Sequence, residues 1–321
     1  MEHIAVLTSG GDAPGMNAAI RAVVRTACKN GMRVYGIRRG FAGLLHDDMI
    51  ELDMRDVSNI MERGGTVLYS ARCKEFKEAE YVKKGADICR ARGISGMVVI
   101  GGDGSFRGAQ DLTNLGGISC VAIPGTIDND IGCTDYTIGF DTALNTIVEM
   151  VDRVRDTTEA HDRCSVIEVM GNRAGYLTLY GGIAVGATVI MIPEKTYDFE
   201  KDVVQRIRAM QEAGKTHFIM MVAEGIGGVE EIALRVERET GVESRPVILG
   251  HVQRGGSPTA RDRCVASQMG NYAVELLMAG KQNRVVAMQR DKLCDFGINE
   301  ALQMKKHIDE KLYQIAYEIS I

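Results

Sequence analysis

Short runs of apolar residues recur along the chain, and the stretches between them carry apolar residues at helical spacing. An unbroken apolar run of about four to six residues is typical of a strand that is buried on both faces of a parallel sheet. We therefore predict strands at 3–7, 34–37, 97–100, 120–123, 165–170, 189–192, 218–222, 246–249 and 284–288.

Helices fill most of the intervals between these strands. In the first interval Met16, Ile20 and Val23 lie three or four residues apart, and Gly31 ends the pattern. The same spacing predicts helices at 76–92, 105–115, 200–213 and 229–239, a long one from 139, one ending near 279 and one at the end of the chain. This alternation predicts an α/β protein with two Rossmann-like, three-layer α/β/α domains and mostly parallel sheets. Residues 40–75 are broken by glycines and predict no clear element.

Composition excludes several classes of partner. The chain has 321 residues, 45% of them hydrophobic, which is enough for two domains with buried cores. It has no Trp and a formal net charge of −5, so neither nucleic acid nor an anionic membrane is an expected partner. No apolar run approaches the ~20 residues of a membrane span, and the eight cysteines form no C-x-x-C pair. The amino terminus shows no signal peptide, and we expect a cytoplasmic protein with reduced thiols.

Candidate chemistry is concentrated in residues 96–130. Two predicted strands there end in the turns 101–105, GGDGS, and 124–130, PGTIDND. Ligands bind at the carboxyl ends of parallel strands, so both turns are expected to border one crevice. Glycine amides suit phosphate oxygens, and Asp103 suits Mg²⁺ held through water. An ordinary strand-to-helix turn, or a weak dinucleotide-binding pattern that places Gly108 one residue late, stays an alternative.

The second turn carries carboxylates, and later turns carry cations. Asp128, Asp130 and Asp135 fall within eight residues, and a carboxylate at a strand end suits proton removal from an attacking hydroxyl. An Asx-rich loop that caps a helix is the structural alternative. Arginines in turns or at strand edges are candidates for binding phosphate: Arg72, Arg163, Arg173, Arg245 and Arg254, the last beside His251.

With these motifs in sequence order, the chain resembles the bacterial-type ATP-dependent 6-phosphofructokinases over nearly its whole length. The segments that carry the resemblance are TSGGDAPGMNAAIR (8–21), RGGT (63–66), SARC (70–73), GGDGS (101–105), PGTIDND (124–130), VMG (169–171), AEG (223–225) and LGHVQRGGSP (249–258).

The resemblance implies that ATP phosphorylates fructose 6-phosphate to fructose 1,6-bisphosphate, with Mg²⁺ as cofactor. It implies a nucleotide-binding domain at 1–138 plus 251–305 and a fructose 6-phosphate domain at 139–250 plus 306–321. The implied catalytic residues are Asp128 as base, Thr126 and Asp130. The implied ATP-binding residues are Gly11, Arg72, Cys73, Gly102, Asp103, Gly104 and Ser105, with Asp103 serving the metal. The implied sugar-phosphate residues are Thr126, Ile127, Asp128, Arg163, Met170, Gly171, Asn172, Glu224, Arg245, His251, Val252, Gln253 and Arg254. Arg163 and Arg245 would act in a neighbouring subunit of a homotetramer.

Two departures from the family pattern carry predictions. The family's M-G-R-x-A-G is here Met170–Gly175 with Asn172 followed by Arg173, which predicts slower chemistry. The effector site, which binds ADP or phosphoenolpyruvate in the family, keeps Arg21, Arg25, Arg155, Lys215 and His217. Thr188, Ala213 and Met54 replace charged residues there. We therefore expect reduced activation by a nucleoside diphosphate.

Three alternatives remain open at the level of sequence. Glycine at 104 and 125 favours ATP over pyrophosphate as donor, because pyrophosphate-dependent relatives typically carry Asp and Lys there. An NAD or lipid kinase shares a GGDG turn but has no reason to carry PGTIDND or LGHVQRGGSP. A catalytically weak nucleotide sensor is supported only by the displaced Arg173.

Overall fold

The computed structural model describes residues 1–320. Its strands are β1 His3–Thr8, β2 Arg33–Ile37, β3 Met49–Leu52, β4 Ile94–Gly101, β5 Ser119–Pro124, β6 Cys164–Val169, β7 Val189–Met191, β8 Phe218–Ala223, β9 Ser244–Ile248, β10 Arg284–Gln289 and β11 Lys292–Gly297. Its α-helices are α1 Met16–Lys29, α2 Gly40–Leu45, α3 Ala79–Ala91, α4 Asp103–Gly116, α5 Phe140–Ala160, α6 Tyr176–Ala184, α7 Gln205–Glu212, α8 Val229–Thr240, α9 Ala260–Met278, α10 Ile298–Gln303 and α11 Glu310–Glu318. A π-helical turn, Glu200–Val204, leads into α7.

The chain forms two compact units, each assembled from separate stretches. Within residues 1–320, unit 1 comprises 1–127, 131–142 and 254–306, and unit 2 comprises 128–130, 143–253 and 307–320. The predicted class, two α/β units with mostly parallel sheets, is confirmed. The unit boundaries differ from those that the resemblance implies. Residues 128–130 and 251–253 group with unit 2 instead of the nucleotide-binding domain, and residues 139–142 and 306 group with unit 1 instead of the fructose 6-phosphate domain.

Unit 1 is built on a seven-stranded sheet with the order β11-β10-β5-β4-β1-β2-β3. Its five inner strands are parallel, and the edge strands β3 and β11 are antiparallel to their neighbours. From β1 the chain proceeds to β2 on one side, and from β4 it proceeds to β5 on the other. The carboxyl ends of β1 and β4 therefore lie at the topological switch point, where open α/β sheets bind ligands.

Both faces of this sheet are buried. Along β1, Ala5 and Leu7 join a core with side chains of α2, α3, α4 and α10. The alternate residues Ile4 and Val6 are equally buried and face the opposite side, because successive strand residues point to opposite faces. Helices α1 and α9 pack against each other there, closely enough that a Cβ on Gly270 would lie 2.7 Å from the Ala19 carbonyl oxygen.

Unit 2 is built on a four-stranded parallel sheet with the order β7-β8-β6-β9. Strand β8 is wholly apolar, and its six residues are all buried. Since the strands are parallel, the segments that follow β6, β8 and β9 emerge at one edge of this sheet. No α-helix in residues 1–320 is long and apolar enough to cross a membrane.

Candidate functional site

In unit 1 the turns after β1 and β4 are joined by hydrogen bonds. Ser9 N–H donates to Ile100 O at 2.9 Å, and the buried Ser105 hydroxyl donates to Ser9 O at 3.1 Å. Gly101 has no room for a side chain, because a Cβ there would lie 2.4 Å from Ser9 O. The turn that contains Gly11 and the segment Gly102–Ser105, residues that the resemblance implies for ATP binding, thus lie together.

The start of α4 is arranged for an anionic ligand. No side chain caps this helix, Asp103 is its first residue, and Asp103 and Gly104 are exposed. A Cβ on Gly102 or Gly104 would meet no atom within 4 Å, so space is open beside the first turn. Amides at the amino end of a helix favour negative charge, and open space at two glycines lets phosphate approach them.

A third segment, residues 66–70, closes on the β1 turn. The Thr8 and Thr66 hydroxyls lie 2.9 Å apart, and the Ser70 hydroxyl donates to Gly10 O at 2.5 Å. Arg72 follows with an exposed side chain. Burial raises the pKa of the Cys73 thiol, so this residue is protonated near neutral pH and suits packing better than nucleophilic chemistry.

Arg254 belongs to unit 1, although His251, Val252 and Gln253 belong to unit 2. Its Nη1 donates to Asp12 O at 3.3 Å, and a Cβ on Gly11 would lie 2.6 Å from the same nitrogen. The structure therefore groups this predicted sugar-phosphate residue with the turn after β1.

Hydrogen bonds hold the loop after β5 to Gly101 and to residues 137–138, which follow the loop in sequence. Gly125 N–H donates to Gly101 O at 3.0 Å, Thr126 N–H donates to Ile138 O at 3.1 Å, and the Thr137 hydroxyl donates to Thr126 O at 2.6 Å. Ile127 is fully buried. The backbone on both sides of Thr126 is consequently fixed within unit 1.

Residues Asp128, Asn129 and Asp130 continue this loop in unit 2. Asp128 is 9% exposed and Asn129 is 4% exposed, whereas Asp130 is exposed. Asn129 has a φ of 51°, in the left-handed region that Asn and Gly tolerate best. The sharp bend at Asn129 separates the two aspartates, leaving one carboxylate buried and the other in solvent.

In unit 2 Glu224 organises the turn after β6. Its Oε1 accepts the N–H of Gly171 at 3.1 Å and that of Asn172 at 2.5 Å. Gly171 has a φ of 145° and Asn172 a φ of 55°, so the turn takes a backbone path that requires such support. Met170 N–H donates to the Oε1 of fully buried Gln253 at 3.1 Å. A structural role for Glu224 and Gln253 was not foreseen from the sequence.

Arg173 follows Asn172 in this turn, at the place where the resemblance leads us to expect a shifted arginine. Asn172 and Arg173 are both exposed, and among residues 1–320 no hydrogen bond or ion pair engages the Arg173 side chain. Asn172 occupies the left-handed backbone position. The side chain of Arg173 therefore leaves the backbone in a different direction from that of an arginine at position 172.

Arg163 and Arg245 share one carboxylate. Glu243 Oε2 lies 3.0 Å from Arg163 Nε, and Glu243 Oε1 pairs with Arg245. The Arg163 guanidinium holds the pKa of Glu243 below its usual range. Two guanidinium groups that converge on one anion form the kind of site that phosphate also fits. Glu243 was not identified from the sequence, since a carboxylate two residues before Arg245 carries no motif.

The predicted effector residues fall in both units. In unit 1 the pKa of Arg21 on α1 is lowered, mainly by burial and to a smaller extent by the positive charge of Arg25. In unit 2 Lys215 Nζ lies 3.4 Å from the Thr188 hydroxyl, and burial, with Arg155 and Arg206, lowers the pKa of Lys215. His217 is half-buried nearby in sequence. Arg206, which is 8% exposed, extends this cationic cluster, and no motif in the sequence identifies it.

The donor set fits Mg²⁺ only in combination with phosphates. Residues 1–320 contain no group of three or more His, Cys, Asp or Glu side chains arranged to hold a metal. Mg²⁺ commonly keeps several waters and takes one or two carboxylates together with substrate phosphates, rather than an all-protein cage. An exposed Asp103 at an open anion-binding helix start meets that requirement.

Comparison with known proteins identifies the family. The phosphofructokinase family model matches residues 3–277. An ATP-dependent 6-phosphofructokinase of Clostridium botulinum is 52% identical over 320 residues, covering 100% of both chains. Phosphofructokinase from Saccharomyces cerevisiae superposes with a TM-score of 0.88 at 33% identity, over 94% of this chain and 45% of that one.

A pyrophosphate-dependent phosphofructokinase from Marinobacter aquaeolei superposes with a TM-score of 0.86 over 99% of this chain and 92% of that one. At 23% identity this likeness shows the fold alone. The family match sets aside the alternatives of a dinucleotide-binding protein, an NAD kinase and a lipid kinase. The predicted resemblance to bacterial-type ATP-dependent 6-phosphofructokinases is confirmed, and the chain belongs to the phosphofructokinase family.

Proposed function

We propose that this chain transfers the terminal phosphoryl group of MgATP to the 1-hydroxyl of fructose 6-phosphate, giving fructose 1,6-bisphosphate and ADP, a step of glycolysis. The observation that carries the proposal is the 52% identity, over the whole of both chains, to an ATP-dependent 6-phosphofructokinase. The switch-point turns of unit 1 support it, because they supply the backbone donors that a polyphosphate needs.

The nucleotide is assigned to unit 1. Amides of Gly11 and of the Gly102–Ser105 turn bind phosphate oxygens, and the exposed Arg72 adds a cation. Mg²⁺ would bind at Asp103 and would neutralise charge on the transferring group. Open space beside Gly104 supports ATP rather than a smaller donor, as glycine at 104 and 125 also does.

The sugar is assigned to the turns that follow β5, β6 and β8, and its 6-phosphate to the turn after β9 together with Arg163, just before β6, and Arg245, within β9. Asp128 accepts the proton of the 1-hydroxyl as its oxygen attacks phosphorus, and Thr126 and Asp130 stabilise the transferring group. Met170, Gly171 and Asn172 line the sugar, and Glu224 binds sugar hydroxyls through the carboxylate whose Oε1 holds the turn. The 6-phosphate is bound by Arg163, Arg245, His251 and Arg254, with Val252 and Gln253 shaping the turn.

We propose that the subunit assembly and the allosteric regulation of this chain resemble those of the family. We place Arg163 and Arg245 in the site of a neighbouring subunit of a homotetramer. Arg21, Arg25, Arg155, Lys215 and His217 form an effector site for ADP or phosphoenolpyruvate, weakened by Thr188, Ala213 and Met54. We propose the cytoplasm as the location of the enzyme.

A coupled assay of ADP release tests the proposal. Product is expected with fructose 6-phosphate, ATP and Mg²⁺, and little with pyrophosphate or without the metal. Asp128→Asn should lower kcat by about 10²- to 10⁴-fold, as for loss of a general base, and should leave ATP binding nearly unchanged. Pyrophosphate as the better donor would overturn the ATP assignment, and a variant with normal kcat would overturn the role of Asp128. ATP binding without turnover in the wild type would instead indicate the nucleotide sensor.

A further inference from the structure

A buried carboxylate on α9 lies at the centre of a hydrogen-bond network in unit 1. The Asp262 side chain is fully buried, and its Oδ1 accepts the Tyr136 hydroxyl at 2.6 Å and Gly139 N–H at 2.7 Å. Its Oδ2 accepts Thr142 N–H at 2.9 Å and the Thr142 hydroxyl at 2.5 Å. Both oxygens are therefore satisfied by one short segment, residues 136–142.

Hydrogen bonds, and not an ion pair, satisfy this carboxylate within residues 1–320. Among residues 1–320, Asp262 forms no ion pair with Lys, Arg or His. Burial raises the pKa of Asp262, and its hydrogen bonds to Thr142 and Tyr136 act in the opposite direction. A buried carboxylate costs free energy unless its hydrogen-bond partners are complete. Because burying this carboxylate costs free energy, we infer that the positions it imposes on residues 136–142 serve a purpose in the protein.

The segment that Asp262 holds is the one that fixes Thr126. Thr137 and Ile138, which lie between Tyr136 and Gly139, make the hydrogen bonds to Thr126 O at 2.6 Å and from Thr126 N–H at 3.1 Å. Ile138 N–H also donates to Pro124 O at 3.0 Å. The link from Asp262 to the backbone of Thr126 thus runs along the chain, because Thr137 and Ile138 lie between Tyr136 and Gly139, which Asp262 binds.

The same segment is packed tightly against the turn after β1. A Cβ on Gly139, whose φ is 103°, would lie 2.6 Å from Ala13 Cβ and 3.2 Å from Ile127 Cγ2. A Cβ on Gly15, whose φ is 105°, would lie 2.8 Å from Ile138 Cγ2 and 3.4 Å from Asp262 Cβ. Displacement of residues 136–142 would therefore disturb the nucleotide turn and the Thr126 loop together.

From this geometry we propose that Asp262 is a positioning residue for phosphoryl transfer: through residues 136–142 it sets the backbone of Thr126 relative to the turn after β1. The proposal rests on the proposed function, which makes Thr126 a catalytic residue. Asp262 contacts no reacting atom and acts by orientation. Small errors in orientation cost large factors in rate.

Unit 1 offers a matched control. Asp295 on β11 is also nearly buried, and it accepts the Tyr272 hydroxyl at 2.7 Å and Arg284 Nε at 2.5 Å. These hydrogen bonds join Asp295 to α9 and β10 and not to residues 136–142. Asp262→Asn and Asp295→Asn each convert an acceptor oxygen to an amide, so both are expected to destabilise unit 1. Only the first should disturb Thr126.

Steady-state kinetics of the full chain, corrected for the folded fraction, test the proposal. Asp262→Asn should lower kcat about 10- to 100-fold with the KM for ATP changed by about twofold or less, and Asp295→Asn should retain the wild-type kcat. If Asp262→Asn does not fold, Tyr136→Phe against Tyr272→Phe replaces the pair, with a kcat about three- to tenfold lower expected for Tyr136→Phe only. A wild-type kcat in the Asp262 or Tyr136 variant, or an equal loss in both members of a pair, would overturn the inference.

Amide hydrogen exchange separates failure of this inference from failure of the proposed function. Peptides covering residues 124–139 should exchange faster in Asp262→Asn, or in Tyr136→Phe, than in the control and the wild type. A wild type that forms no product from ATP and fructose 6-phosphate would refute the function, and exchange would still test the tether. Unchanged exchange together with unchanged kcat in an active enzyme would refute only the role of Asp262.

Discussion

Asn172 and Glu224 are joined across the ends of β6 and β8: the Asn172 N–H donates to Glu224 Oε1 at 2.5 Å. The same oxygen accepts Gly171 N–H, so one carboxylate oxygen holds the turn in which an arginine of the family is displaced. The other oxygen, Oε2, is the atom that we assign to the sugar. One side chain would then support the turn and bind substrate through different atoms.

Because Glu224 would have these two roles, Glu224→Ala and Glu224→Gln should differ in their effects on stability and on binding of fructose 6-phosphate. Alanine leaves two backbone donors without their acceptor, and we expect a loss of about 1–3 kcal/mol in the free energy of unfolding. Glutamine keeps an acceptor oxygen and should retain most of that stability while raising the KM for fructose 6-phosphate. Thermal unfolding and sugar saturation curves measure the two effects. A fully stable alanine variant would contradict the role in the turn.

The adjacent glycines 101 and 102 should respond differently to alanine. Gly101→Ala places a Cβ 2.4 Å from Ser9 O and from Ser105 Oγ, which should cost about 1–3 kcal/mol of stability. Gly102→Ala meets no atom within 4 Å, so stability without ligand should change by about 0.5 kcal/mol or less. Its KM for ATP should rise, because the phosphates would need that space. Denaturant titration and ATP saturation provide both readouts, and an unchanged KM in Gly102→Ala would place the phosphates elsewhere.

Glu243→Gln should strengthen binding of fructose 6-phosphate. The carboxylate competes with phosphate for Arg163 and Arg245, and exposed ion pairs are worth about 0.2–1 kcal/mol. We therefore expect the KM to fall by up to about fivefold, with less effect at high salt. Glu239→Gln is the matched control, since Glu239 also pairs with two arginines, Arg235 and Arg238, outside the proposed site. A KM that rises in Glu243→Gln would show that the carboxylate positions the arginines instead.

Lys215 should make stability rise with pH in the alkaline range. Its pKa in the folded state lies below the ordinary 10.5 because of burial and the neighbouring Arg155 and Arg206. Between the two pKa values the unfolded chain binds more protons, so the folded state gains stability as pH increases towards 10.5. Lys215→Met should lack this component, which denaturant titrations at several pH values detect. Identical pH profiles of stability for Lys215→Met and the wild type would argue against a lowered pKa of Lys215 in the folded state.

Activation by ADP should be weak. Thr188 lies beside Lys215. In the effector site that we propose, Thr188 replaces a metal-binding glutamate of the family pattern, and Ala213 and Met54 remove further charge. Fructose 6-phosphate saturation curves with and without ADP should nearly coincide. Strong sigmoidality that ADP relieves would contradict the expectation, and a Lys215→Met variant would then show whether this cluster is responsible.

The strands of the parallel sheets were predictable because burial on both faces leaves an apolar run, as at residues 97–100 of β4 and throughout β8. The edge strands β3 and β11 were missed because their exposed faces break that pattern. The β10–β11 turn is built from Arg290 and Asp291, both with positive φ, in a turn that usually uses Asn or Gly. Neither residue signals a hairpin in the sequence.

The positions of candidate site residues could be predicted where backbone groups of one short motif form the site. They were harder to predict where a side chain supports residues that are distant in sequence. Glycines at 101, 102 and 104 and the exposed Asp103 stand in one short motif. Glu243 and Asp262 are single acidic residues, and only the fold brings them to Arg245 and to the 136–142 segment. Arg206 was hidden for the same reason, since its neighbour Thr188 lies 18 residues away in sequence.

The packing of α1 on α9 has a consequence for synthesis of the chain. Helix α1 emerges from the ribosome early, and its partner, with Gly270 against Ala19, follows more than two hundred residues later. Strand β10, which pairs with β5, comes later still. Unit 1 therefore cannot complete its core until residues 254–306 have been translated. During that interval the apolar face of α1 needs temporary cover, and nascent chains halted before α9 are expected to be chaperone-bound and protease-sensitive.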